Sequence, residues 1–313
     1  MATVLVTGAA GFIGSHTCEH LVAAGHHVIG VDNFRTGRRE NLRALDRQPA
    51  FRFSPVDVTD QPAFDAVVAS AAPDAIIHLA ALVSVPESIA DPLTNFRLNL
   101  AATFHVAEAA RVHGVPRVVF ASSAAVYGHA ADLPLREDTP LHPLSPYGGA
   151  KLASESLLLS SARSFGFTAR CQRYFNVFGP RQDPRSPYSG VISIFVEKMA
   201  RGVAPVIFGD GGQSRDFVFV GDVARANVLA ATLPGLAHGV ANICTGRGTS
   251  LNTLAAALRQ LYPGAPAPTH AADRPGDIRH SVGAPDRARA ELTFTAGQSL
   301  AGGLAELKAA LRA

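Results

Sequence analysis

The stretch Thr3-Val4-Leu5-Val6-Thr7-Gly8-Ala9-Ala10-Gly11-Phe12-Ile13-Gly14 decides how this chain folds. An apolar run of strand type stops at Gly8, and from Phe12 to Ala24 the apolar residues recur at helical spacing. Gly8, Gly11 and Gly14 fall in the connection, where absent side chains let backbone approach a pyrophosphate and a helix amino terminus offers unpaired N–H donors. A second apolar run, His27 to Asp32, ends on a carboxylate roughly 20 residues downstream, where an acid accepts hydrogen bonds from a ribose 2′-hydroxyl and repels a 2′-phosphate. Strand, glycine turn, helix and acidic strand end together predict a dinucleotide site for NAD rather than NADP.

Outward from this unit the alternation continues. Phe51 to Val56, Ala75 to Leu79, Val118 to Ala121 and Thr168 to Arg173 read as strands, separated by helical patterns such as Asn95 to His113. Repeated strand and helix units predict an α/β fold with a Rossmann-type, doubly wound parallel sheet, and near-continuous apolar runs such as Ala75-Ile-Ile-His-Leu79 suit strands covered on both faces. After Asn176 the texture changes: Gly179-Pro180, Pro184, Pro187 and Gly190 crowd together, and a Pro-rich stretch runs from Pro263 to Pro268. The expected division is a dinucleotide-binding domain over residues 1–175 and a smaller lobe over 176–313, with some later segments returning to the main sheet. Leu300, Leu304, Leu307 and Leu311 mark a terminal amphipathic helix.

With 47% apolar residues in 313, the chain can bury a sizeable core. A net charge of +3, from 28 basic and 25 acidic residues, and the lack of a basic run interleaved with aromatics argue against a nucleic-acid partner. Arg35, Arg38, Arg39 and Arg43 form the densest positive stretch and read as a solvated loop and helix face. Cys18, Cys171 and Cys244 are odd in number and far apart, which disfavours disulfides and paired-cysteine zinc sites and fits a reducing cytoplasm. The amino terminus passes almost directly into a strand and no run reaches membrane-spanning length, so a soluble, unexported protein is expected. His16-Thr-Cys-Glu-His20 matches an H-x-x-E-H metal pattern, but it lies inside the helix whose start should hold pyrophosphate, and no third ligand is suggested; no metal is expected.

Chemistry enters with Tyr147 and Lys151. Only three lysines and five tyrosines occur in the chain, and these two are spaced to share one face of a helix. A cation beside a phenol stabilises the phenolate, which suits removal of a proton from an alcohol. Ser123, at the end of a strand, can pass that proton or hold the alcohol; by itself it reads equally as a loop cap.

These segments, with V-D-N-F around Asp32, D-V-T-D around Asp57, H-L-A-A at 78–81, S-S-A-A-V-Y-G from Ser122, S-P-Y-G-G-A-K from Ser145, R-Y-F-N-V-F-G-P-R-Q-D-P from Arg173, S-R-D-F-V-F-V from Ser214 and R-P-G-D-I-R-H-S from Arg274, resemble the extended short-chain dehydrogenase/reductase family. The likeness is greatest to its NAD-dependent nucleotide-sugar epimerases and dehydratases, the UDP-glucose and UDP-N-acetylglucosamine 4-epimerases above all. The resemblance implies catalytic roles for Ser123, Tyr147 and Lys151. It implies cofactor contacts at Gly8, Gly11, Phe12, Ile13, Gly14, Asp32, Asn33, Asp57, Val58, Leu79, Ala80, Ala81, Asn99, Tyr147, Lys151 and Tyr174. For a UDP-sugar it implies Ser84, Ser123, Tyr147, Asn176, Arg215, Arg274 and Ser281, the two arginines gripping the diphosphate. Ser84 also reads as a loop cap, and each arginine alone also reads as a surface residue.

The 4,6-dehydratases of the family carry an acidic pair just after the catalytic Ser or Thr, and its decarboxylases a Glu; here Ala124 and Ala125 stand there. The resemblance therefore implies 4-epimerisation through a transient 4-keto sugar, with NAD unchanged overall. A small Ser281 should admit an N-acetyl group, pointing to UDP-N-acetylglucosamine and UDP-N-acetylgalactosamine, with UDP-glucose and UDP-galactose also open. The alternatives are a UDP-glucuronate 4-epimerase, disfavoured by Asn176, an NADH-dependent 4-keto-sugar reductase, and a dinucleotide-sensing regulator, which would not need an activated phenol. The family's pairing through two helices per subunit implies a homodimer.

Overall fold

The computed structural model describes residues 1–129, 132–183, 190–273 and 278–311. In chain order the first half runs β1 (Thr3–Thr7), α1 (Phe12–Ala23), β2 (His27–Val31), β3 (Phe51–Ser54), α2 (Gln61–Ala71), β4 (Ala75–His78), α3 (Val85–Ala90), α4 (Pro92–Asn95), a π-helical turn (Phe96–Ala101), α5 (Ala102–Val112), β5 (Arg117–Ser123), α6 (Pro146–Phe165) and β6 (Thr168–Tyr174). Then come β7 (Asn176–Phe178), α7 (Val191–Ala200), β8 (Val206–Phe208), β9 (Ser214–Phe219), α8 (Val220–Thr232), β10 (Gly239–Ile243), β11 (Gly248–Ser250), α9 (Leu251–Leu261), β12 (Thr269–Ala271), β13 (His280–Ser281), α10 (Asp286–Leu292) and α11 (Leu300–Ala310).

Seven strands form one parallel sheet in the order β10-β6-β5-β4-β1-β2-β3. The order reverses between β1 and β4, and in such sheets ligands bind in the crevice beyond the carboxyl ends of the strands flanking that reversal. Alternate residues of β1 feed opposite faces. Val4 and Val6 pack with Leu21 of α1 and Val223 and Ala226 of α8. Leu5 packs on the other side with Phe64 of α2, Val106 of α5 and Leu158 of α6. The expected doubly wound sheet is therefore present, with helices on both faces.

The later chain does two things. β10 returns to the edge of the main sheet beside β6, while β7, β9, β11 and β13 build a small second sheet. That sheet has its own core, in which Phe178, Phe195, Phe217, Phe219, Leu254 and Leu258 meet Leu304 and Leu307 of α11. Leu311 departs from the expected stripe: α11 ends at Ala310 and Leu311 is exposed. The expected helix Asn95 to His113 is interrupted at its start by the π-helical turn, a local widening common beside functional sites.

Candidate active site

The cradle beyond β1 is shaped by what glycine omits. Gly8 has φ +70°, and a Cβ there would lie 2.8 Å from the Ala80 nitrogen. A Cβ on Gly14 would lie 2.0 Å from the Gly8 carbonyl oxygen. Gly11 stands at the amino-terminal cap of α1, where no side chain makes a capping hydrogen bond, and the first-turn N–H groups of Phe12, Ile13 and Gly14 have no intrahelical acceptor. No acidic residue stands in that turn to repel an anion. The place fits a pyrophosphate.

Asp32, one residue beyond β2, is buried and accepts hydrogen bonds from the backbone N–H groups of Ala10, at 2.9 Å, and Phe34, at 2.7 Å. Burial raises its carboxyl above the ordinary range and those two bonds oppose the rise. Gly37, which sequence reasoning overlooked, lies against the carboxylate: a Cβ there would be 2.9 Å from both oxygens. Asn33 donates to Asp57 at 2.7 Å, and Thr59 donates to the other Asp57 oxygen through its N–H and hydroxyl. Burial pushes Asp57 up, but these bonds and Arg35 hold it below its ordinary value. The Val58 carbonyl accepts from His105 of α5 at 2.9 Å.

Across the crevice, the N–H groups of Leu79 and Ala80 both donate to the Thr7 hydroxyl, which is hydrogen-bonded to His78 Nδ1 at 2.8 Å. Burial lowers His78 to about 3, so it is neutral there. Ala81 lies half-buried just beyond. The Asn99 side chain clamps this connection by accepting from Leu82 N–H at 3.1 Å and donating to Leu82 O at 3.0 Å and to Asn95 at 2.7 Å. Asn95 donates onward to the Pro146 carbonyl at the start of α6. The Tyr174 phenol donates to Asn227 of α8 at 2.6 Å, and Asn227 donates to Thr17 of α1. The side chains of Asn99 and Tyr174 thus hold the walls of the crevice together.

Ser145 caps α6 by accepting from Gly148 N–H, and Pro146 sits in the first turn. Tyr147 and Lys151 are both buried on the face turned to β5. The Ser123 hydroxyl lies near the Tyr147 phenol, and the Tyr147 backbone N–H donates to Ser88 at 3.2 Å. Lys151 Nζ donates to the Ala121 carbonyl at 2.7 Å and lies 4.8 Å from the Phe120 ring centroid and 5.9 Å from that of Tyr147. Gly148 permits this approach, since a Cβ there would meet the Ala125 carbonyl at 2.8 Å. The structure therefore brings Ser123, Tyr147 and Lys151 together.

Electrostatically the constellation differs from the expected easily ionised phenol. Burial raises Tyr147 above its ordinary value, with Ser123 opposing, and burial lowers Lys151 to about 7, with Glu155 opposing. Desolvation is the largest cause for both groups, because both charged forms have lost water. The remaining stabilisation of a phenolate has to come from positive charge brought into the crevice.

The substrate candidates separate into two places. Asn176 opens β7 opposite Phe217 of β9, and Arg215 of β9 sits in register with the buried Ser281 of β13. Arg215 Nη1 donates to the Ser214 carbonyl at 2.9 Å. Ser84 is on the other side, below α3, where its hydroxyl accepts from Glu87 N–H as an amino-terminal cap. Arg274 lies outside the described residues. His16 bonds the Pro180 carbonyl and is lowered by burial to about 4, and Glu19 pairs with Arg181. No cluster able to hold a metal ion occurs among the described residues.

Sequence reasoning also missed the buried pair Glu155–Arg173. Arg173 donates to both Glu155 oxygens at 2.9 and 2.8 Å, and further to Tyr127. A signal was present: Glu155 continues the Tyr147 and Lys151 spacing by four, on a face otherwise buried.

The sequence profile of the NAD dependent epimerase/dehydratase family matches residues 4–244. The chain belongs to that family. A UDP-glucose 4-epimerase of Mycolicibacterium smegmatis is 39% identical over 303 residues, 96% of each chain. A UDP-glucose 4-epimerase of Thermotoga maritima, solved with UDP-glucose, is 36% identical, with a TM-score of 0.93 over 99% of this chain and 98% of that one. A UDP-N-acetylglucosamine 4-epimerase of Methanobrevibacter ruminantium M1, solved with UDP-N-acetylmuramic acid, is 35% identical, with a TM-score of 0.94 over the same shares. Membership makes this protein an NAD-dependent enzyme of the short-chain dehydrogenase/reductase type, and the uncapped start of α1, Gly37 and the fixed Asp32 carboxylate suit that cofactor.

Proposed function

We propose that this enzyme inverts C4 of a UDP-hexose through a transient 4-keto sugar, interconverting UDP-N-acetylglucosamine and UDP-N-acetylgalactosamine and also accepting UDP-glucose and UDP-galactose. The observation that carries the proposal is the buried Tyr147 and Lys151 beside a half-buried Ser123, with no acid added beside them, since Ala124 and Ala125 follow Ser123. Bound NAD supplies a hydride acceptor that can return what it takes. Ser123 holds the sugar hydroxyl and Tyr147 moves its proton, while Lys151 donates to the Ala121 carbonyl and keeps positive charge beside the phenol. Without an acid to drive elimination, the oxidised sugar can only turn and be reduced again. The small Ser281, in register with Arg215, is the position expected to admit an N-acetyl group, with Arg215 and Arg274 proposed as the diphosphate cations and Asn176 on the adjoining strand.

The likeness to a UDP-glucose and a UDP-N-acetylglucosamine 4-epimerase supports the substrate class. The proposed assembly is a homodimer paired through α5 and α6: Phe96 in the turn before α5, Phe104 and Val112 on α5, and Phe165 at the end of α6 are exposed apolar residues. The test of activity is separate incubation with UDP-N-acetylglucosamine, UDP-glucose and UDP-glucuronate without added reductant, with products identified by NMR. C4-inverted acetylated and neutral hexoses are expected. Inversion of UDP-glucuronate alone would replace this substrate assignment, and inversion of none would end the epimerase proposal.

A further inference from the structure

Tyr147, Lys151 and Glu155 stand four apart on one face of α6, and each meets β5. The Ser123 hydroxyl lies near the Tyr147 phenol and works to lower its pKa, Lys151 donates to the Ala121 carbonyl, and Glu155 accepts from the Ser122 hydroxyl. Ser122 pairs in register with Arg173 of β6, and Arg173 closes a two-toothed bond onto the same carboxylate. Glu155 and Arg173 are each about as buried as any residue of the core, at 2% and 3% exposure. Burying both charges costs desolvation that an apolar pair of similar volume avoids, and Leu158 and Ala162 fill the next turns of the same helix in that way. Packing alone gives no reason for the ion pair.

We propose that Glu155 is a positioning residue of the reaction: clamped by Ser122 and Arg173, its carboxylate fixes the catalytic helix against β5 and keeps Lys151 an ammonium beside Tyr147. The proposal rests on the catalytic roles given above to Tyr147 and Lys151. The groups facing Lys151 from other elements do not supply the negative charge. His78 of β4 is neutral, and the Ala121 carbonyl and Phe120 ring that Lys151 meets on β5 are uncharged. Around Glu155, Arg173 is a cation, Cys171 of β6 is held as a thiol by burial, and Tyr127 is pushed up to about 12. Glu137 lies farther along the network, with its backbone carbonyl on Arg173 and its carboxylate on the Asn242 N–H. Burial works to strip the Lys151 proton, and Glu155 opposes it.

The scarcity of lysine makes the charge directly readable. With 13Cε-labelled lysine the full chain gives signals from Lys151, Lys198 and Lys308 only, and Lys151→Met identifies the first by its loss. In Glu155→Gln the Lys151 titration midpoint should fall by roughly one pH unit or more. The alkaline limb of the kcat profile should move the same way, with KM little changed. Glu155→Gln/Arg173→Met, which leaves no unpaired buried charge, should keep the lowered midpoint while recovering thermal stability, and it carries the comparison if the single variant does not fold. An unchanged Lys151 midpoint in a folded variant overturns the proposal. A wild-type chain that inverts no sugar removes the catalytic roles instead, and the NMR titration separates that failure from this one.

Discussion

Ser123, Tyr147 and Lys151 show how differently two kinds of information reach a residue. Their identity and spacing are plain in the sequence, because the chain holds so few lysines and tyrosines. Their titration is not, because it depends on how much water the fold removes, and burial outweighs the opposing effect of Ser123 on Tyr147 and of the Glu155 carboxylate on Lys151. Tyr147→Phe should lower kcat by roughly 10²–10⁴-fold, the usual worth of general acid–base catalysis, while NAD content stays at the wild-type level. Equal turnover in that variant would remove the phenol from the mechanism. Lys151 also makes a stability prediction. Its value is lowered from 10.5 unfolded to about 7 folded, so between those values the unfolded chain binds the extra proton. Stability from this group therefore rises with pH from about 7 toward 10.5, and is lowest below 7, where the folded chain holds a buried ammonium. In cofactor-free protein, Lys151→Met should flatten that rise, as followed by urea denaturation at pH 6.5, 8 and 9.5.

At the scale of elements, the sequence was most readable where one physical signal acted alone. The run Ala75–His78 is apolar because both faces of β4 are covered, and Gly8 and Gly14 are required by contacts that a Cβ would violate. The strand expected over Val118–Ala121 is longer, Arg117–Ser123, because Ser122 and Ser123 keep pairing with β6 despite their polarity. The π-helical turn was hidden, and with it a hydrogen-bond circuit among Leu82, Asn99, Asn95 and Pro146 that joins residues far apart in the chain. That circuit holds the connection after β4 against the start of the catalytic helix. Asn99→Ala leaves the Leu82 N–H and carbonyl buried without these partners, which should cost roughly 1–3 kcal/mol and lower the melting temperature. Affinity for NAD should weaken with it, measured by titration of the stripped protein. A variant that melts and binds as wild type would show the circuit to be dispensable.

For the whole molecule, residues 176 onward serve both the small sheet, where Arg215 and Ser281 adjoin, and the main sheet, through β10 and α8. Local composition registers only the glycine and proline crowding there, because the return of β10 beside β6 is a long-range pairing with no neighbouring signal. The same limit applies to assembly. A stripe of exposed apolar residues along α5 is legible only after the fold shows which face of the helix the sheet leaves uncovered. Phe104 is exposed on that helix, whereas the neighbouring His105 turns in to the Val58 carbonyl beside the Asp57 loop. A partner covering Phe104 would thus also brace one wall of the cofactor crevice. Phe104→Glu places a charge in the proposed helix pairing without touching a core contact, so it should convert a dimer into a folded monomer in sedimentation velocity. Loss of the brace should then appear as faster release of NAD from the monomer. A variant that stays dimeric at micromolar concentration would place the subunit contact on a different surface.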